Sequence, residues 1–464
     1  MDWMKEVLAR KEDLIKDTQE FLRIRSILDK ETASKEAPFG KGINEALEFL
    51  LQKGSSEGFI SKNLDGYAGH IELGTGQDII GILCHVDVVP EGDGWTSGPF
   101  DADLREGRIY ARGAMDDKGP TMAAYYAMKI VSESGLPLQK KVRMIIGTDE
   151  ESDWQCVDHY FKHEQMPLMG FAPDADFPII YAEKGIIDAE LHYTPSESTS
   201  TQEGIIVTEF HSGERYNMVP DKAFAALSGN LNSDEIQSSY SAFLKKHNLK
   251  GDYAEKEGTA KLMLTGKSAH AMEPNNGINA GLYLAAFLKD LKLNSGAKGY
   301  FSSLTDFFFG DSRGKAVSIA SKDEVSGELT LNAGILRYTE KAASAGINIR
   351  YPVTADGADI KEGLQQIPGF LLHSLSDSKP HYVNQDHELI STLQRVYTEQ
   401  TGETAELISI GGGTYARSLE AGVAFGPLFP GREDVAHQKD EYIIVDDLLK
   451  ATAIYAQAIY ELAK

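Results

Sequence analysis

Residues 78–89 read Asp78-Ile79-Ile80-Gly81-Ile82-Leu83-Cys84-His85-Val86-Asp87-Val88-Val89, the most apolar strand-type run of the chain, ending in side chains that carry chemistry. In an extended strand residues two apart share a face, so His85 and Asp87 point the same way. They stand at the carboxyl end of a strand, where α/β proteins place their ligands. A carboxylate beside a ligating imidazole would fix its tautomer and raise its basicity. A plain surface turn is the competing account, since Pro90, Glu91, Gly92, Asp93 and Gly94 come next.

Outward from this run, further β-type segments are HIEL (70–73), RIYAR (108–112) and KVRMIIGT (141–148). Between them Pro120 to Gly135 has proline near its start and glycine at its end, the punctuation of a helix. Strands alternating with helices predict an α/β sheet with a parallel component. The amino-terminal stretch, with Trp3, Val7, Leu14 and Phe21 at helical spacing among charges, reads as an amphipathic helix and not as a signal peptide. From about Ile186 strand-like segments (DAELHY, GIIVTEFH, AFAALSGN, AKLMLTG, AGINIRYPV) mix with helical patterns around Asp234–His247 and Asn279–Leu293, which predicts a separate α+β unit. Helical periodicity returns in His387–Gly402 and in the segment beginning at Val445.

The chain has 464 residues, 46 lysines and arginines against 70 aspartates and glutamates, and a formal charge of −24. A field of that sign repels phosphate backbones and anionic lipid, so neither nucleic acid nor a membrane surface is an expected partner. No run of about 18 apolar residues predicts a membrane span. Two cysteines in so long a chain, Cys84 and Cys156, do not make a disulfide framework and suit the reducing cytoplasm.

Four more segments place carboxylates or imidazole at loop positions. Arg112-Gly113-Ala114-Met115-Asp116-Asp117-Lys118-Gly119-Pro120 puts two acids between a strand and a helix, either as an N-cap or as a carboxylate whose two oxygens serve two metals. Thr148-Asp149-Glu150-Glu151-Ser152-Asp153 succeeds the strand VRMII, either as a solvated acidic loop or as one ligand and one unligated base. Ala172-Pro173-Asp174-Ala175-Asp176 supplies further acids, and Glu433-Asp434-Val435-Ala436-His437 a late histidine. Hard carboxylates with a few imidazoles suit zinc, manganese or cobalt, and no CxxC pair suggests a structural zinc ribbon. Together these segments make a two-metal hydrolase the leading expectation. His159 and His163 have the spacing of a helical metal pair without the HExxH base, and are assigned to a helix surface; the GGGTYAR loop lacks the GK[ST] ending of a phosphate loop.

The order HVD, AMDDKG, DEES, PDAD and then EDVAHQKDE resembles the co-catalytic zinc aminopeptidase, carboxypeptidase and aminoacylase family. The likeness is nearest to its PepV-type bacterial dipeptidases, also termed Xaa-His dipeptidases or carnosinases. GDGWTSGPFDADLREGRIYARGAMDDKGP and PDADFPIIYAEKG carry that closer likeness, which runs over essentially the whole chain. The resemblance implies His85 and Asp174 as ligands of one metal, Glu151 and His437 of the other, and Asp116 as the bridge, joined to Asp117 by a cis peptide. It implies Asp87 as the residue orienting His85, and Glu150 as general base. Asn217, His270, Arg350, Gly412 and Gly413 match substrate-binding positions, His270 as an oxyanion donor. Asp153 departs from the pattern, where relatives often carry glycine.

The resemblance further implies an α/β fold in two domains. A discontinuous hydrolase-like catalytic domain, 1–188 and 383–464, with a central mixed sheet, carries an inserted α+β lid at 189–382. Ligation by both His85 and His437 itself requires the two ends to share one domain. The expected activity is hydrolysis of dipeptides with a free amine and a free carboxylate. A water bridging two divalent ions, zinc or else manganese or cobalt, would attack, with Glu150 moving its proton. Arg350 and the glycine loop would hold the carboxylate, and Asp176 is a candidate for receiving the amine. An extra half in the lid stands in for a partner subunit in such enzymes, so a monomer is expected. The rivals are an N-acyl amino acid amidohydrolase with the same metals and base, and a catalytically silent metal binder, against which the retained Glu150 speaks.

Overall fold

The structure, a computed structural model, describes residues 1–194 and 204–464. The chain forms two compact units. The first comprises Met1–Tyr181, Tyr382–Ile408 and Thr414–Lys464, and the second Ala182–His381 with Ser409–Gly413. The passage between them falls at 181/182 and not at the expected 188/189, because the strand Gly185–Tyr193 already pairs with Ala343–Tyr351 and Phe370–Ser378. The glycine loop 409–413 also joins the second unit, tied there by the Lys184 N–H donating to the Ile410 carbonyl (3.1 Å).

In the first unit a mixed sheet runs in the order Ile60–Leu64, Ala68–Leu73, Lys141–Gly147, Ile79–His85, Met169–Ala172, Gly422–Ala424, Ile179–Glu183. The pairings from Lys141–Gly147 through Gly422–Ala424 are parallel, and those flanking them antiparallel. Every residue of Ile79–His85 is buried, which is why its sequence is unbroken and apolar: a parallel strand covered on both faces has no polar side to alternate with. The helices Lys118–Glu133 and Val445–Ala463 pack on each other and on this strand. The amino-terminal helix is interrupted, as Trp3–Leu8 and Lys11–Leu22, at Arg10, whose guanidinium is shared between Glu6 and Glu133. Trp3, Val7, Leu14 and Phe21 are nonetheless all buried.

The second unit is built on an eight-stranded antiparallel sheet in the order Lys250–Lys256, Thr259–Thr265, Lys222–Gly229, Ile205–Ser212, Thr330–Tyr338, Ala343–Tyr351, Gly185–Tyr193, Phe370–Ser378. One face carries the core, where Ile187, Ala189, Leu191, Val207 and Phe210 meet Leu284, Phe287, Phe301 and Leu304 of the helices Ala280–Lys289 and Ser295–Phe308. The expected helix over 279–293 therefore ends at Lys289, and a new one starts after Asn294, whose side chain accepts from the Ala297 N–H (3.1 Å). Among the described residues no helix is long and apolar enough to cross a membrane.

Candidate metal centre and active site

The buried strand ends at His85, and its geometry there is set locally. The His85 Nδ1–H donates to the Asp87 main-chain carbonyl (3.0 Å), which turns Nε2 outward as the lone-pair nitrogen. The Asp87 carboxylate lies 3.5 Å from Nδ1, so the closer orienting partner is the main chain. The carboxylate itself spans the turn opposite: its oxygens accept from the N–H groups of Glu150 (3.1 Å) and Glu151 (3.0 Å). Asp87 thus ties the strand end that bears His85 to the loop that bears both glutamates.

Asp116 stands between two histidines. Its Oδ1 is 3.0 Å from His85 Nε2, and its Oδ2 2.9 Å from His437 Nε2. Asp174 Oδ1 lies 3.7 Å from His85 Nε2, and Glu151 Oε1 3.1 Å from His437 Nε2. Two groups result, His85–Asp116–Asp174 and Asp116–Glu151–His437, each with its donor atoms within 4.8 Å of one another, and Asp116 belongs to both. The Asp116–Asp117 peptide is cis. His85 Nε2 and Asp116 Oδ1, both buried and close, make no hydrogen bond in this arrangement. Two acceptor atoms aimed at one point, in a set of imidazoles and carboxylates, fit a divalent ion of the zinc class between them.

Glu150 belongs to neither group. Burial pushes its carboxyl well above the usual range, and the negative charges of Asp174, Asp116 and Glu151 add to this. Burial likewise raises Asp174, to about 6, with Asp116 contributing. Asp153 needs no special backbone, because the left-handed residue of this turn is Trp154 (φ 57°), which opens the helix Gln155–His163. His159 and His163 lie on that helix, where His159 stacks on Tyr67 and bonds Asp65 (3.1 Å). Asp176 is exposed, two residues past Asp174.

Three residues have supporting roles that sequence reasoning did not assign. Asp117, fully buried, accepts from the His85 N–H (3.0 Å) and the Thr121 hydroxyl (2.9 Å). Arg112 and Glu441, both buried, form an ion pair at 2.5 Å. Glu441 accepts from the Met115 and Asp116 N–H groups (2.8 and 3.2 Å), while Arg112 donates to the carbonyls of His437, Gln438, Pro90 and Glu91. This pair fixes the backbone on both sides of the Asp116–His437 contact. Glu441 sits in the run QKDE, which looks like solvated charge, and only the 329-residue contact to Arg112 reveals it.

In the second unit Asn217, His270 and Arg350 come together with the glycine loop. The Asn217 carbonyl accepts from the Ala271 N–H (2.9 Å), and His270 bridges to Met218. His270 Nδ1 accepts from the Met272 N–H (3.1 Å), which leaves Nε2 as the protonated nitrogen of the neutral ring. Burial, and then the Arg350 charge, lowers the His270 pKa and favours that neutral form. Arg350, buried, donates through Nε to Asn348 Oδ1 (2.9 Å) and through Nη1 to the Gly411 carbonyl (3.3 Å). Above Gly412 a side chain would meet only Ile410, at 3.9 Å, so a ligand can approach this backbone closely; Gly413 is next in the same loop.

Known proteins resemble this chain at two levels, in sequence and in fold. A protein of Bacillus subtilis (strain 168) named "Putative dipeptidase YtjP" is 61% identical over 465 residues, covering 100% of both chains. A Staphylococcus epidermidis protein named "Putative dipeptidase" is 42% identical over 467 residues and 99% of each chain. Among solved structures, human carnosine dipeptidase 1 shares the fold with a TM-score of 0.56 at 14% identity, over 99% of this chain and 98% of that one. An aminoacylhistidine dipeptidase from Vibrio alginolyticus does so with a TM-score of 0.57 at 14% identity, over 97% of this chain and 96% of that one. The profile of the peptidase family M20/M25/M40 matches residues 81–461, nearly the whole span from the buried strand to the last helix, and the chain belongs to that family.

Proposed function

We propose that this chain is a metal-dependent dipeptidase acting on dipeptides whose amine and carboxylate are both free. The observation that carries the reading is Asp116, with one oxygen facing His85 and the other His437, beside a half-buried Glu150 that belongs to neither group of candidate ligands. In this reading His85, Asp116 and Asp174 hold one divalent ion, and Asp116, Glu151 and His437 the second. Two bound ions would supply Lewis-acid activation of water and of the scissile carbonyl. Glu150 takes a proton from water and returns it to the departing amine, duties for which a raised pKa suits it. His270, a neutral N–H donor, stabilises the oxyanion, and Asn217 assists in orienting the substrate. Arg350, its guanidinium already aligned by Asn348 and Gly411, receives the carboxylate in a planar fork beside Gly412 and Gly413.

The dipeptidase names of the two relatives support the substrate class. Both cysteines are free and buried, which suits a cytoplasmic setting, and a monomer is the expected state. The test is a panel of a dipeptide, its amidated form, its N-acetylated form and a tripeptide, each assayed with zinc, manganese or cobalt. The free dipeptide is expected to be hydrolysed fastest. Preferred cleavage of N-acetyl amino acids would replace this reading by an amidohydrolase.

A further inference from the structure

A second set of metal-ligating side chains lies on the second unit, outside everything described above. In the strand Gly185–Tyr193 buried and open positions alternate: Ala189 and Leu191 belong to the core, so Glu190 and His192 share the opposite, open face. The neighbouring strand Phe370–Ser378 is the last in the sheet's order. Its register against Gly185–Tyr193 slips at this place. Glu190 pairs with Ser374 and Leu191 with Leu372, which leaves His373 as the extra residue of a β-bulge. Bulges re-aim a side chain, and this one sets the His373 imidazole against His192, with ring centroids 4.0 Å apart and planes within 11°. Glu190 Oε1 bonds His192 Nε2 at 2.8 Å. One donor atom from each of Glu190, His192 and His373 lies within 4.8 Å of the others.

From this geometry we propose that Glu190, His192 and His373 form a surface site for one divalent ion of the zinc, nickel or copper class. Two imidazoles and a carboxylate are the donor set these ions prefer over magnesium or calcium. Tetrahedral zinc with bonds of about 2.0 to 2.1 Å needs neighbouring donors about 3.4 Å apart, and partly exposed rings turn through the remaining distance. The bound ion would clip the outermost strand to its neighbour at the point where the ladder is interrupted. The site requires nothing of the proposed catalytic centre, so the two stand or fall separately.

The whole chain, stripped with a chelator, is titrated calorimetrically with nickel and with zinc, alongside His373→Ala, Glu190→Gln and His163→Ala. His373→Ala is expected to bind one equivalent fewer than the parent while keeping its peptidase activity. Glu190→Gln should weaken that equivalent at least tenfold, and His163→Ala should leave it unchanged. Since His373 is exposed on a bulge, its replacement does not threaten the core, and circular dichroism of each variant verifies the fold. Equal stoichiometry in the parent and His373→Ala, or loss of the equivalent in His163→Ala, would overturn the site.

Discussion

Glu150 and Glu151 are adjacent and chemically alike, yet their surroundings divide them. Glu151 meets His437 at 3.1 Å, whereas Glu150 stands apart with its carboxyl raised by burial. Glu150→Ala should therefore lose about 10²- to 10⁴-fold in turnover, the usual contribution of a positioned base, while its metal content by elemental analysis stays at the parent value. Glu151→Ala should lose metal together with activity. Depletion in Glu150→Ala alone would exchange their roles. Asp87 tests the support beneath both. In Asp87→Asn an amide N–H2 must face one of the two backbone N–H groups that the carboxylate now accepts from. A fall of about 10- to 100-fold in metal affinity or activity is expected, the scale found for groups that orient ligands.

At the scale of single elements, the strand Ala68–Leu73 carries a buried histidine, His70, whose Nδ1 is hydrogen-bonded to the Tyr160 hydroxyl (2.9 Å) of the helix Gln155–His163. Burial, and then the Arg143 charge, depress its pKa to about 4. Folded His70 thus refuses a proton that the unfolded chain accepts below about 6.5. Its contribution is complete above that pH and declines as pH falls toward about 4, where folded and unfolded forms are both protonated and the loss levels off. The melting-temperature difference between the parent and His70→Gln should therefore shrink between pH 7 and pH 4; a constant difference would contradict the assignment. Elements of this kind differ in how plainly the sequence displays them. Ile79–His85 is legible because burial on both faces leaves only apolar side chains. Ser295–Phe308 is not, since a loop and an Asn294 cap interrupt what periodicity joins into one pattern. The paired acids at 116–117 and 150–151 are visible as candidates because each follows a strand end, where α/β proteins place their ligands. The Arg112–Glu441 clamp is invisible, as neither residue has a local reason to be buried.

For the molecule as a whole, two-ended recognition predicts that Arg350→Ala loses roughly ten- to a hundred-fold in kcat/KM on dipeptides, the equivalent of one charge-assisted contact of about 1.5 to 3 kcal/mol. The loss should be much smaller on an amidated dipeptide, which offers no carboxylate; equal losses on both would remove Arg350 from that role. A tripeptide, whose carboxylate is displaced by about 3.3 to 3.6 Å, should behave like the amidated substrate. The chain order of the first unit also bears on how the protein is made. Its sheet receives the strand Gly422–Ala424 between Met169–Ala172 and Ile179–Glu183, and His437 arrives later still. On the ribosome the earlier residues emerge first, so the antiparallel second unit has its strands in hand while the host sheet still has a gap. A nascent chain that has not reached residue 422 therefore holds His85, Asp116 and Asp174 but not His437, the histidine that faces Asp116 Oδ2. Under the proposed function the order of assembly is then also an order of activation: the host sheet is completed at Gly422–Ala424 before the chain reaches the histidine of the second ion group, so a chain terminated between the two would have the sheet without that ligand.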